Sequence, residues 1–179
     1  MPKTDFLIDA PLFSHDQPVA DLDLIRQFNP QRHEMEHLTA ILYEDPDTLR
    51  CAGYKEVRHD EFWCRGHMPG MPVMPGVIQL EAVAQLSSYF AQKYDLLGAE
   101  MVGFGGVDAT RFRDVVVPGD RFVILIKLTR ARRNRMIVAD FQGVVNEKVV
   151  CDGTIRGIPL PTQAVKDHLA KRSAEASNA

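Results

Sequence analysis

The chain has 179 residues, of which 45% are apolar and 25% charged. That is the balance of one ordinary globular domain long enough to bury a sizeable core. Its formal net charge of −3 excludes a molecule that attracts nucleic acid over its whole surface.

Residues 1–20 carry Pro2, Pro11 and Pro18 and little periodicity. They read as an arm laid over the domain or as a partly disordered segment. Residues 21–28, DLDLIRQF, predict a short amphipathic helix, with Asp21 as its cap and Asn29-Pro30 as its stop. Leu49–Val57 is strand-like. A loop dense in Pro and Gly follows, from Arg65 to Gly76 (RGHMPGMPVMPG).

Val77–Tyr94 (VIQLEAVAQLSSYFAQKY) predicts a helix, with Pro75 suited to its first turn. Its first half is apolar almost all round, at Val77, Ile78, Leu80, Val83, Ala84 and Leu86, which marks a buried helix. Three strand candidates come next: Arg121–Thr129, Met136–Val145 and Lys148–Gly157. RARRNR separates the first two and Asn146-Glu147 the last two. Their alternation predicts antiparallel strands with one buried face. From about Pro161 to Ala179 the chain is a solvated helix or a frayed tail.

One long helix against a curled antiparallel sheet is an α+β arrangement. A helix so apolar needs cover on every side, which a second copy would supply. The expected division is an arm at 1–20, a domain at 21–160 and a tail at 161–179. Three scattered cysteines, Cys51, Cys64 and Cys151, argue against a disulfide framework. The start of the chain does not read as a secretion signal, and no apolar run reaches membrane-spanning length. The expectation is a soluble cytoplasmic protein that binds neither membrane nor nucleic acid.

Two residues carry the chemistry. His67 lies in the Pro/Gly loop and Glu81 in the helix, 14 positions later. A lone loop histidine is most often bonded to backbone and nothing more. A carboxylate within VIQLEAVAQL is harder to dismiss, because an unpaired charge among apolar groups is expensive. Burial would raise its pKa toward the range of a useful general acid. Gly76 opens the helix, so its N–H has no helical acceptor and sits at the positive dipole end. A base, an acid and such an amide suit proton abstraction beside a carbonyl.

The stretch FWCRGHMPGMPVMPGVIQLEAVAQ, Phe62–Gln85, resembles the signature of the FabZ-type 3-hydroxyacyl-acyl-carrier-protein dehydratases. A second block, FGGVDATRFRDVVVPGD (Phe104–Asp120), resembles the family's next segment, and the likeness runs from about Leu22 to Gly157. The resemblance implies a hot-dog fold, a curled antiparallel sheet around one central helix, that forms dimers and in many members trimers of dimers. It implies that His67 is the catalytic histidine and Glu81 the catalytic glutamate. Gly76 stands at the glycine whose amide binds the thioester oxygen, and Val73 where a backbone carbonyl orients the histidine ring. Each site would take His67 from one protomer and Glu81 from its partner. The implied reaction dehydrates a (3R)-hydroxyacyl chain on the phosphopantetheine arm of acyl carrier protein to a trans-2-enoyl chain, without metal or other cofactor. Glu81, where a dehydratase/isomerase group has Asp, favours simple dehydration.

This chain departs from the family at its first strand, reading PQRHEMEHLTAILYE over Pro30–Glu44 where members have PHRYPFLLVDRV, and has Met68 where members have an aromatic. Acyl length and pathway are left open by these changes.

The departure also creates His33-Glu34-Met35-Glu36-His37, a literal match to a zinc-protease motif. That chemistry needs both histidines on one helical face. Pro30 just before it and the charge of Glu36 argue instead for a polar junction. A hot-dog thioesterase, or a non-catalytic acyl-thioester binder, is the other class that fits Glu81 alone. Arg111, Arg113, Arg130, Arg132, Arg133 and Arg135 are either a solvated edge or a docking surface for an acidic carrier protein. Cys64, near His67, reads as a packed cysteine, since nothing nearby lowers its pKa.

Overall fold

A computed structural model describes residues 5–177. The arm call at Pro2 and the last two residues of the tail lie outside that range. Helix α1 is Leu22–Phe28. The Asp21 side chain accepts from the Leu24 amide at 2.9 Å, and Asn29 closes the helix, as its cap and stop residues predict.

Six strands form one sheet: β1 (Ala40–Asp45), β2 (Arg50–Glu56), β3 (Val102–Phe112), β4 (Arg121–Arg132), β5 (Met136–Val145) and β6 (Lys148–Pro159). Every pairing is antiparallel, in the order β1-β2-β4-β5-β6-β3. Helix α2, Gly76–Lys93, lies on the concave face, and helix α3, Thr162–Ser177, follows β6. Asn146 and Glu147 both have positive φ, the pattern of the two-residue turn that matches strand twist. The chain reverses between β4 and β5 only at Arg133–Arg135, so the arginine-rich stretch is mostly strand rather than turn.

The main core lies between α2 and the concave face. Val83, Leu86, Tyr89 and Phe90 pack there against Ile124, Ile126, Ile137 and Phe141. A second cluster lies on the opposite face, where Ile8 and Phe13 of the arm cover Leu42, Ala52, Leu125 and Val144. The arm is tied down by polar contacts too. The Leu7 amide donates to Gln142 at 2.8 Å, and Asp16 pairs with Arg121 at 2.6 Å.

This corrects the one-faced reading of the strands. Ile124, Leu125 and Ile126 are all fully buried, because the arm roofs the face that alternation assigned to solvent. Burying Ile8 and Phe13 is worth roughly 1.5–3 kcal/mol each.

The burial of α2 also differs from expectation. Gln79, Ala82, Val83 and Gln85–Ala91 are buried, whereas Val77 in the first turn is 70% exposed. Of the apolar first half, Val83 and Leu86 are covered within one chain, Ile78, Leu80 and Ala84 only in part, and Val77 is left open. Strand β3 is similar. It stands at a sheet edge, has no buried residue, and presents Phe104 and Phe112 to solvent. Among the described residues, no helix is long and apolar enough to cross a membrane.

Candidate active site

The Pro/Gly loop is held at both ends. At its start, Lys55 of β2 and Glu61 form an ion pair at 2.7 Å with both side chains about 7% exposed. Trp63 then enters the core, and the amides of Gly66 and His67 both donate to its carbonyl. At its end, Met74 is buried and its amide donates to Val116 O at 2.8 Å. A loop whose interior carries three prolines has little freedom left once its ends are fixed.

His67 sits exposed on this frame. Its Nδ1 lies 2.8 Å from the Val73 carbonyl oxygen, and the Val73 amide donates back to His67 O at 3.0 Å. A carbonyl can only accept, so Nδ1 carries a proton and the neutral ring offers its lone pair at Nε2.

Gly76 opens α2 behind Pro75. The Pro75 carbonyl takes the amides of Ile78 and Gln79, and no side chain caps the helix. The N–H groups of Gly76 and Val77 thus have no acceptor within the helix. The ring of Phe112 lies so close that a Cβ on residue 76 would come within 2.7 Å of it. Glycine is needed here for that approach, not for an unusual backbone angle.

Glu81 is half-buried in the second turn of α2. It lines a narrow groove of about 90 Å³ between the helix and the sheet, with Ala84 and Ser88 on its own face and Phe104, Ile137 and Ile155 opposite. His67 does not line this groove. One chain therefore brings together His67 and Val73, and separately Glu81 and the groove. Glu81 Oε1 accepts from Gln85 Nε2 at 2.8 Å. Gln85 escaped the sequence reading. The only signal for it is the spacing of four from Glu81, which puts both on one helical face.

The His33–His37 segment is a three-residue 3-10 turn, His33–Met35, and not an α-helix. His33 is exposed and His37 wholly buried, so the two rings do not share a helical face. Among the described residues no group of three or more His, Cys, Asp or Glu side chains could hold a metal. Burial, then the nearby Lys55 charge, pushes the His37 pKa down to about 4 against the pull of Glu61. Burial raises the Cys64 thiol, which removes thiolate character beside His67. Of the arginines singled out, Arg113 pairs with Asp152 and Arg133 with Asp95, while Arg111, Arg130, Arg132 and Arg135 are exposed.

A buried helix embraced by a six-stranded antiparallel sheet, with a histidine loop leading into its N-terminus, defines a hot-dog-fold protein. By the match of residues 29–154 to the FabA-like domain model, the chain belongs to the FabA-like family. It is similar to the 3-hydroxyacyl-[acyl-carrier-protein] dehydratase FabZ of Desulfotalea psychrophila, at 37% identity over 74% of this chain and 85% of the relative. It is 38% identical to the protein of the same name from Clostridium novyi, over 70% of this chain and 88% of that one. Among solved structures it resembles the dehydratase heterocomplex ApeI:P of Xenorhabdus doucetiae, with TM-score 0.65 and 13% identity over 85% of this chain and 97% of that chain. The E. coli PaaI protein matches with TM-score 0.52 and 13% identity over 66% and 80%. These two likenesses concern the fold.

Proposed function

We propose that this chain removes water from a (3R)-hydroxyacyl thioester on acyl carrier protein, giving the trans-2-enoyl thioester. The observation that carries the reading is the lock between His67 and Val73. It leaves Nε2 as a neutral base at the mouth of a helix whose first amides lack helical acceptors. Family membership and relatives named for this reaction support it.

In this account the thioester oxygen accepts the Gly76 N–H, which makes the C2 hydrogen more acidic and steadies the developing enolate. His67 Nε2 takes the C2 proton. Glu81 gives a proton to the C3 hydroxyl, which leaves as water while the C2–C3 double bond forms. The acyl chain lies in the groove beside α2.

Two copies complete each site, with His67 from one and Glu81 from the other. Three observations support this: His67 stands outside the groove that Glu81 lines, Val77 beside Gly76 is open to solvent, and β3 is an uncovered edge. The exposed arginines Arg111, Arg130, Arg132 and Arg135 are the surface we assign to the acidic carrier protein, whose attraction would weaken with salt. The working unit is residues 21–160, with residues 1–20 as its arm and 161–179 as its tail.

The test is His67→Ala, assayed for enoyl product on a 3-hydroxyacyl-carrier-protein substrate. Loss of a general base should lower kcat by roughly 10²–10⁴-fold. Unchanged kcat would end the proposal, and release of free thiol without enoyl product would make the chain a thioesterase.

A further inference from the structure

The side chain of Gln85 is buried on α2, one turn beyond Glu81, and both ends of its amide group are engaged. Its nitrogen donates to Glu81 Oε1 at 2.8 Å and to the Met35 carbonyl at 2.7 Å. Its oxygen accepts the His37 backbone N–H at 2.9 Å. The partners dictate which end is which. A peptide N–H can only donate and a peptide carbonyl can only accept, so the NH₂ group must face Glu81. The same stretch of helix is fastened from the end of α1, where the capping residue Asn29 donates from Nδ2 to the Gln85 carbonyl at 2.9 Å.

We propose that Gln85 is a positioning residue for Glu81, fixing which carboxyl oxygen carries the proton that meets the substrate. The inference rests on the role given to Glu81 above. With an N–H donor aimed at Oε1, a proton on that oxygen would oppose the donor. The oxygen left free to hold and hand over a proton is therefore Oε2. The N–H also anchors the carboxyl, so the acid is both oriented and held.

The Met35–His37 backbone becomes the outer frame of the site. It holds Gln85, and Gln85 holds Glu81. The segment that mimics a zinc motif thus contributes main-chain groups, not ligands. The ionisable groups around Gln85 are Glu81 on its own helix, Arg26 and Glu36 across a small pocket and paired with each other at 2.6 Å, and His37. The Arg26 guanidinium holds the Glu36 carboxyl below the usual carboxylate range, so this pair stays ionised and mutually balanced.

Gln85→Glu is the informative variant because it keeps the shape. When protonated, its carboxyl can donate its single O–H to Glu81 and accept the His37 N–H at the other oxygen, giving up only the second donation to the Met35 carbonyl. When ionised, it cannot donate, and it repels Glu81. The expected kcat is closest to wild type at the acid end of the range where the protein stays folded, then falls progressively behind as pH rises, with KM little changed. Gln85→Leu lacks the donor at every pH and should lower kcat on the order of 10–100-fold throughout, more than it changes KM. Circular dichroism shows whether each variant folds, and if Gln85→Leu does not, the pH profile of Gln85→Glu alone decides.

A Gln85→Glu profile parallel to wild type overturns the inference. Wild type and Glu81→Ala run alongside. An inactive wild type, or a fully active Glu81→Ala, removes the reading of Glu81 and the inference with it. An active wild type, an impaired Glu81→Ala and an unaltered Gln85→Glu profile overturn the inference alone.

Discussion

The His67 ring and the Val73 backbone hold each other from both sides: Nδ1 to carbonyl at 2.8 Å, amide to carbonyl at 3.0 Å. The seven residues His67–Val73 are closed into a clip whose product is one ring orientation and one tautomer. In the proposed reaction that clip gives an exposed histidine the fixed orientation a general base needs.

The contact between Gly76 and Phe112 gives a paired prediction. A Cβ at position 76 would collide with the Phe112 ring, which is half exposed and able to shift. Gly76→Ala should therefore cost only about 1–2 kcal/mol of stability. It should reduce activity strongly, since the displaced ring or the tilted helix start disturbs the thioester site. Adding Phe112→Ala should restore part of kcat, which steady-state kinetics on both variants would read.

The Lys55–Glu61 pair should behave as a buried ion pair. Lys55→Met leaves the Glu61 carboxylate buried without its partner, and should cost roughly 3–5 kcal/mol in urea unfolding. Lys55→Met combined with Glu61→Leu should be much closer to wild type, because the stranded charge is gone. A double variant worse than the single one would contradict this account of the loop's anchor.

His37 predicts a pH dependence of stability. Its folded pKa, about 4, lies below the ordinary histidine value of 6.5. Between those limits the unfolded chain binds more protons than the folded one, so stability rises with pH. The penalty is absent above pH 6.5, grows as pH falls, and is fully developed near pH 4, where it is of order 3 kcal/mol. Lys55 adds to the penalty and Glu61 reduces it. In His37→Leu this part of the pH slope should vanish, as measured by denaturant unfolding at several pH values.

The arm predicts stability without a direct part in chemistry. Ile8→Ala should cost about 2–5 kcal/mol and Phe13→Ala about 3–5 kcal/mol, since each fills the cluster over Leu125 and Val144. The kcat of the folded variants should stay near wild type. Thermal unfolding with parallel kinetics separates the two quantities.

The sequence was most legible where local and tertiary signals agreed. Asp21 capped α1, the long apolar run became α2, and Asn146-Glu147 turned the chain between β5 and β6. Strand β3 was invisible as a strand. VGFGGVDATRF has three glycines, two irregularities in its pairing with β6, and no buried face to impose alternation. Strand β1 was hidden because the Pro30–Glu44 segment carries turn and charge signals up to Leu38. Of the site, the His67 loop and the Gly76 start could be read locally. The partners of Gln85 could not, because they are backbone groups about fifty positions away that only the fold brings to it.

The most direct test of the two-chain site mixes two inactive variants, His67→Ala and Glu81→Ala, by co-expression or by joint unfolding and refolding. If each site takes His67 from one chain and Glu81 from its partner, a mixed dimer has one intact site and one doubly damaged site. Random pairing should then recover about a quarter of wild-type enoyl formation from variants that are silent alone. No recovery in verified mixed dimers would contradict the account.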